Sequence, residues 1–291
     1  MRSPRIRLAC AGSKGLDFVT AICASQKIDR IFAYEQSGTT RPTIAEFINL
    51  GKEAGIRVEA KKKLTGTDLS DADLIFVVGW QYMIENPPPS VVVLHDSLLP
   101  KYRGFAPTVS ALIEGAPEIG VTAITAMSEP DRGLILSQSK LHVAHPVKIR
   151  DVLDQLQSNY MECAHDVIQK WQRSSLVGTA QREEFSTYSL WRDELDLMVD
   201  WSCDAARVQR FIYAIGDPYL GARALIDGQQ IVISDCVVVE DLNIVNRQPG
   251  KIWRLTAEGP EVVCGRGMVR LTEIRDLEGN PFVVRHLRTR L

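Results

Sequence analysis

Apolar residues in the first half of the chain come in short unbroken runs, separated by stretches where they recur every three or four residues. The runs Ile6–Ala11, Ile31–Glu35, Leu74–Val78 and Ser90–Leu94 predict strands, and Arg57–Ala60 a further short one. Leu16–Ser25 is amphipathic, and Thr43–Gly55 carries Ile44, Phe47 and Ile48 on one face, so both predict helices. Pro107 suits the first turn of a helix that runs to about Gly115. Val121–Met127 and Leu134–Val143 predict two more strands. Ile149–Trp171 predicts a long helix with Val152, Leu153, Leu156, Val167 and Ile168 on its apolar side. Strands alternating with helices imply crossover connections, hence the α/β class with an open, mostly parallel sheet. The pattern fades over Arg173–Leu190, which reads as a polar linker packed on the first domain. Beyond it one helix, Cys203–Ile215, precedes short strands with turns at Asp227-Gly228, Pro249-Gly250, Glu258-Gly259 and Glu278-Gly279. That spacing predicts a small β-barrel of about 90 residues. The expected domains are residues 1–190, linker included, and 191–291.

Composition narrows the classes. With 291 residues, 45% apolar and 24% charged, the chain can hold cores without staples. Cys10, Cys23, Cys163, Cys203, Cys236 and Cys264 form no CxxC pair and no metal-ligand spacing with histidine. They read as small buried hydrophobes in a reducing compartment, with no metal. The opening MRSPRIRLACAG has too short an apolar part for a signal peptide, and no apolar run is long enough to span a membrane. A cytoplasmic location with no membrane partner is therefore expected. The net charge of −2 argues against a binder of phosphate backbones. The basic runs Lys61–Lys63 and Arg285–Arg290 read as solvated surface, the second also as a candidate anion contact.

Open α/β sheets bind ligands beyond the carboxyl ends of their strands. Gly12–Gly15, Gly79–Tyr82 and His95–Gly104 leave strands there, and Asp131-Arg132-Gly133 is a turn able to reach the same place. Gly12–Gly15 with Glu35 about 20 residues on suggests a dinucleotide fingerprint, but AGSKG lacks the GxGxxG spacing and reads as a tight strand-to-helix turn. Lys14 at the helix start is placed to meet an anionic substrate. His95, at the end of a buried strand, is the candidate proton acceptor, and Asp131 is the candidate carboxylate partner. His142, His145, His165 and His286 lack such a setting and read as structural.

The run His95-Asp96-Ser97-Leu98-Leu99-Pro100-Lys101-Tyr102-Arg103-Gly104 continues to Pro107. Glu118-Ile119-Gly120-Val121-Thr122 and Asp131-Arg132-Gly133 follow. Over about forty residues this resembles the formyltransferase family, which includes methionyl-tRNA formyltransferase and the sugar N-formyltransferases. Gly79-Trp80-Gln81-Tyr82-Met83-Ile84 resembles the family loop that lines the pterin pocket. Asp200-Trp201, Arg210-Phe211-Ile212 and Pro218-Tyr219 with Gly221 resemble the opening of its C-terminal barrel. The resemblance implies a Rossmann-like sheet followed by an OB-like barrel, 10-formyltetrahydrofolate as co-substrate, and attack of an amine on the formyl carbon. It implies His95 and Asp131 as the catalytic pair and places Gly79, Trp80, Tyr82, Met83 and Ile84 at the folate. Lys14, Ser97, Lys101, Tyr102, Arg103 and Gly104 are expected at the acceptor substrate. The chain departs from the family in two places. The asparagine that donates to the developing oxyanion, two residues before the histidine, is here Val93, and Leu134 stands where an acidic residue is frequent. A backbone amide or Ser97 is the expected substitute donor.

For the acceptor, the tRNA enzymes of the family carry a basic loop after the second strand, whereas Glu35–Pro42 holds one arginine against one glutamate. With the loop Gly79–Tyr82 and Tyr102–Pro107, this points to a sugar N-formyltransferase acting on a nucleotide-linked amino sugar. Its expected setting is surface-polysaccharide synthesis such as the lipopolysaccharide O-antigen. A homodimer through the barrel is one assembly the sequence allows. Three alternatives stay open: methionyl-tRNA formylation, hydrolysis of formyl-folate, and a weakly active or non-catalytic folate or nucleotide binder, suggested by Val93.

Overall fold

The computed structural model describes residues 3–37, 39 and 43–291. Gly38, Thr40, Arg41 and Pro42, part of the loop read above for its charge, lie outside the described residues, as do Met1 and Arg2. Contacts divide the chain into two units. One holds Met1–Thr108, Glu118–Val143 and Leu153–Trp191; the other holds Val109–Pro117, Ala144–Val152 and Arg192–Leu291.

In the first unit β1 (Ile6–Ala11), α1 (Gly12–Cys23), β2 (Ile28–Tyr34), α2 (Ile44–Ala54), β3 (Arg57–Ala60), the short α3 (Gly66–Leu69), β4 (Leu74–Val78) and β5 (Val91–His95) follow in order. Then come β6 (Arg103–Gly104), β7 (Glu118–Thr125), β8 (Ile135–His142), most of α5 (Ile149–Gln172) and β9 (Tyr188–Ser189), while most of α4 (Pro107–Glu114) and the start of α5 are counted with the second unit. The main sheet has the order β3-β2-β1-β4-β5-β7-β8. Strands β3 to β5 are parallel, while β7 and β8 run antiparallel. The sheet is thus open and mostly parallel, as the alternating pattern predicts. Its antiparallel edge is the β7–β8 hairpin, for which about ten residues are too few to make a crossover. All of β1 and β4 is buried, consistent with their unbroken apolar runs. Phe18 of α1 meets Phe76 of β4 edge-on at 6.2 Å, and Tyr160 of α5 lies 6.3 Å from Phe18. Strand order reverses between β1 and β4, so the crevice for a ligand opens at their carboxyl ends.

Some local expectations change. The strand-to-helix turn is tighter than the four residues Gly12–Gly15, because β1 passes into α1 at Gly12, whose φ is 68°. Glu35 meets no ribose site: its carboxylate accepts from the Thr43 and Ile44 amides and so satisfies donors at the start of α2. The polar segment after α5 is built into the first unit. Thr179 pairs with Ile135, and β9 pairs in parallel with β6.

In the second unit α6 (Ala205–Ala214) is capped by Asp204, whose carboxylate accepts from the Arg207 amide at 2.9 Å. Strands β10 (Ala222–Ile226), β11 (Gln229–Val239), β12 (Ile252–Thr256), β13 (Gly259–Val263) and β14 (Met268–Arg275) make an antiparallel sheet of order β10-β11-β14-β13-β12, consistent with a small barrel domain. Asp227 and Gly228, with φ of 50° and 82°, form the tight hairpin turn that the Asp-Gly pair predicts. The six cysteines are free. Among the described residues no helix is long and apolar enough to cross a membrane, and no cluster of ligating side chains could hold a metal ion.

Candidate active site

The segments singled out at the strand ends meet within the first unit. His95 ends β5 and is 6% exposed. Its Nε2 lies 2.9 Å from the Tyr102 carbonyl oxygen. A carbonyl can only accept, so Nε2 carries a proton, and Nδ1 is the nitrogen turned toward the carboxylate. Nδ1 lies 3.4 Å from Asp131 Oδ1. The imidazole and the carboxylate, 36 residues apart in the chain, therefore face one another in one place. A proton arriving at Nδ1 would turn that approach into an ion pair.

Both partners are held by backbone in unusual conformations. Tyr102, Ala106 and Asp131 have φ of 58°, 44° and 55°, in the left-handed region that non-glycine residues seldom adopt. Asp131 Oδ2 accepts from the Gly104 amide at 2.7 Å, which fixes the carboxylate with Oδ1 toward His95. Gly104 has φ of 100°, and a Cβ there would lie 2.4 Å from the Ser189 carbonyl oxygen of β9, so only glycine fits.

Arg103, expected at a substrate anion, has protein partners in the structure. It is 1% exposed, and its guanidinium is already occupied. Nε and Nη2 donate to Gln181 Oε1 at 3.1 and 2.8 Å, while Nη1 and Nη2 donate to the two Glu183 oxygens at 2.9 and 2.8 Å. Gln181 in turn donates to the carbonyls of Asp131 and Gly133 at 2.7 and 2.9 Å. Arg103, Gln181 and Asp131 thus form one chain of contacts tying the β5 loop, the β7–β8 turn and the segment after α5. Neither Gln181 nor Glu183 was foreseen, since both sit in a stretch with no period to read.

Ser97 likewise has a partner within the loop. Its hydroxyl donates to the Lys101 carbonyl at 2.7 Å, so it does not replace the absent asparagine amide. Lys14 forms an ion pair with Asp96, with Nζ 2.9 and 3.0 Å from the two carboxylate oxygens. Asp96 is buried beside His95 and also accepts from the Thr108 hydroxyl at 2.8 Å. Burial raises its pKa, but the charges of Lys14 and His95 and the hydrogen bonds from Lys14 and Thr108 outweigh this and bring it down to about 2. Lys14 thus balances a buried carboxylate, and Lys101 is the exposed cation of the loop.

The loop after β4 divides. Ile84 is 7% exposed and belongs to the core with Phe32, Ile75, Val77 and Val91. Tyr82 and Met83 are exposed. Tyr34 meets Trp80 and Tyr82 edge-on at 4.9 and 5.1 Å, and its hydroxyl accepts from the Gln81 amide at 2.9 Å. Gly79 has φ of 66°, and a Cβ would come within 2.4 Å of the Ala11 carbonyl oxygen. The loop is thus fastened to β1 and β2 on one side and open on the other.

An open α/β sheet with a buried imidazole–carboxylate pair at its strand ends, followed by an antiparallel β domain, is a formyl transferase architecture. The chain belongs to that family: residues 18–169 match formyl transferase, and residues 193–287 match the formyl transferase C-terminal domain. It is 28% identical over 208 residues to the methionyl-tRNA formyltransferase of Nitrosomonas europaea, an alignment covering 67% of this chain and 64% of that one. The N-formyltransferase of Helicobacter canadensis, solved with folinic acid and dTDP-3-aminofucose, superposes with a TM-score of 0.70 at 14% identity, over 92% of this chain and 99% of that one. HypX from Aquifex aeolicus, solved with tetrahydrofolic acid, gives 0.65 at 17% identity, over 94% of this chain and 44% of that one. At such identities the two solved structures share the fold.

Proposed function

We propose that this chain is an N-formyltransferase that moves a formyl group from 10-formyltetrahydrofolate to the amine of a nucleotide-linked amino sugar. The observation that carries the reading is the pair His95 Nδ1 and Asp131 Oδ1, 3.4 Å apart at the carboxyl end of β5. The exposed Tyr82 and Met83 offer an apolar face on which a flat pterin could lie, which fits a folate beside this pair. The folate, when bound, supplies an activated one-carbon group. Nδ1 and Oδ1 are both acceptors while the imidazole is neutral, and together they can hold an incoming N–H. As the nitrogen–carbon bond forms, His95 Nδ1 takes the amine proton and Asp131 balances the charge gained. His95 returns that proton to the departing carrier nitrogen as the carrier–formyl bond breaks, so atoms and charge balance. The Tyr102 carbonyl and the Gly104 amide hold the two groups in register throughout.

A nucleotide sugar is favoured over tRNA by the net charge of −2 and by the near-complete mutual coverage with the Helicobacter canadensis enzyme. A cytoplasmic enzyme of surface-polysaccharide synthesis is the setting this implies. Methionyl-tRNA is the second acceptor to test, since the Nitrosomonas europaea relative acts on it by name and is the more similar in sequence. The deciding experiment gives purified protein formyl-labelled folate with dTDP-amino sugars, with methionyl-tRNA, or with no acceptor. Label in the sugar is expected. Label only in methionyl-tRNA, or formate release alone, overturns the reading.

A further inference from the structure

Attack on a formyl carbon pushes negative charge onto its oxygen, and a site that speeds the reaction needs a donor there. Val93, on the same face of β5 as His95, supplies none. The hydroxyls nearby are occupied: Ser97 donates to Lys101, and Thr122 donates to the Ser97 carbonyl at 2.6 Å. Gln138 is likewise engaged, donating to Thr122 and to the Leu99 carbonyl.

One donor that follows the neighbouring strand β4 has a different status. Trp80 Nε1 is buried and has no hydrogen-bond partner among the described residues. Leaving a buried N–H unpaired costs stability, and native folds rarely do so without a use for the group. Trp80 and Val93 pack on the same apolar cluster, and Val93 pairs across the sheet with Val77, three residues before Trp80. The indole therefore leaves β4 beside the strand end that carries His95. It does not hang loose: Tyr34 packs edge-on against it, and the Tyr34 hydroxyl anchors the next residue through the Gln81 amide.

We propose that the Trp80 indole N–H is the donor to the formyl oxygen, doing from β4 what Val93 cannot do from β5. This rests on the formyl-transfer reading above. Among the conceivable roles of an aromatic ring at a folate site, stacking needs only the π face. The unpaired N–H is what points to an oxygen. A hydrogen bond formed in so dry a place strengthens as charge builds on its acceptor, which would favour the reacting state over the bound ground state.

The test compares wild type, Trp80→Phe, Val93→Asn and the double variant. Single-turnover transfer should fall about a hundredfold in Trp80→Phe, in the range for loss of one such donor. Calorimetric affinity for tetrahydrofolate, which carries no formyl group, should fall by far less than the rate. Val93→Asn should recover at least about tenfold of the rate in the Trp80→Phe background. Independently of turnover, the wild-type Trp80 indole N–H resonance should move downfield with 5-formyltetrahydrofolate and stay in place with tetrahydrofolate. An unchanged rate in Trp80→Phe overturns the proposal. So does a loss of tetrahydrofolate affinity as large as the loss of rate, or an indole resonance indifferent to the formyl group. If wild type transfers formyl to no acceptor, the functional reading falls, and the resonance shift still decides the Trp80 bond.

Discussion

Lys14→Met isolates the buried charge next to the proposed base. In the native chain the Asp96 carboxylate keeps two contacts to Lys14, at 2.9 and 3.0 Å, and one to the Thr108 hydroxyl at 2.8 Å. Methionine keeps the length of the side chain and removes both ionic contacts, leaving a buried carboxylate with a single hydroxyl donor from that group of three. Breaking a buried pair from one side costs about 3–5 kcal/mol. The Lys14 side chain is 17% exposed and Thr108 remains, so the low end, about 3 kcal/mol, is expected. With a urea m-value of about 3 kcal/mol/M, the midpoint at pH 7.5 should fall by about 1 M. The sign of the pH dependence gives a second check. In wild type the Asp96 pKa is depressed from 3.8 to about 2, so its contribution is complete above pH 3.8 and is lost as pH falls toward 2. In the variant burial acts with less opposition and raises the folded pKa, so acid neutralises the stranded charge first in the folded state. The gap between the two proteins should therefore narrow between pH 7.5 and pH 5. Adding Asp96→Asn should restore most of the loss. A midpoint shift below about 0.3 M, or a double variant no better than Lys14→Met, would refute the argument.

His95→Gln should lower transfer by about 10²–10⁴-fold with folate affinity nearly intact, read by single-turnover assay and calorimetry. Arg103→Lys keeps the charge but not the fork that grips Gln181 and Glu183, and the displaced Asp131 turn should cost up to about a hundredfold in kcat. Gln181→Leu removes the two bonds to the Asp131 and Gly133 carbonyls and should lower kcat more than it changes KM for the acceptor, as steady-state kinetics would show. Gly104→Ala places a methyl against the Ser189 carbonyl at a φ of 100° and should destabilise by roughly 1–3 kcal/mol, measurable as a lower thermal midpoint.

What was legible in the sequence follows the physics of each signal. Unbroken apolar runs read correctly as β1, β4 and β5 because strands buried on both faces admit little else. The Asp-Gly hairpin was legible because its turn requires positive φ at two residues. His95 and Asp131 were visible as residues at a strand end and a turn, and the motif spacing connected them before any distance was known. The partners of Lys14, Arg103 and Ser97 were not legible, because a charge or hydroxyl in a motif looks available until its partner is seen. Those partners, Asp96, Gln181, Glu183 and the Lys101 carbonyl, include groups that no period or composition marks.

The contrast between Asp131 and Val93 separates two demands of acyl transfer that families usually meet together. Moving a proton needs two groups within a few ångströms and in fixed orientation. Here four segments of chain, including the one that reads as a plain linker, converge to hold His95 and Asp131 in place. Such investment in one imidazole–carboxylate pair would be idle in a protein that only bound folate, because binding a pterin asks for an apolar face and a few amides. Stabilising charge on an oxygen asks less of position along the chain, since any donor that reaches the same point will serve. A valine at the usual place is therefore weaker evidence against catalysis than a disordered proton-transfer pair would be. An unpaired indole N–H on the adjoining strand makes it weaker still.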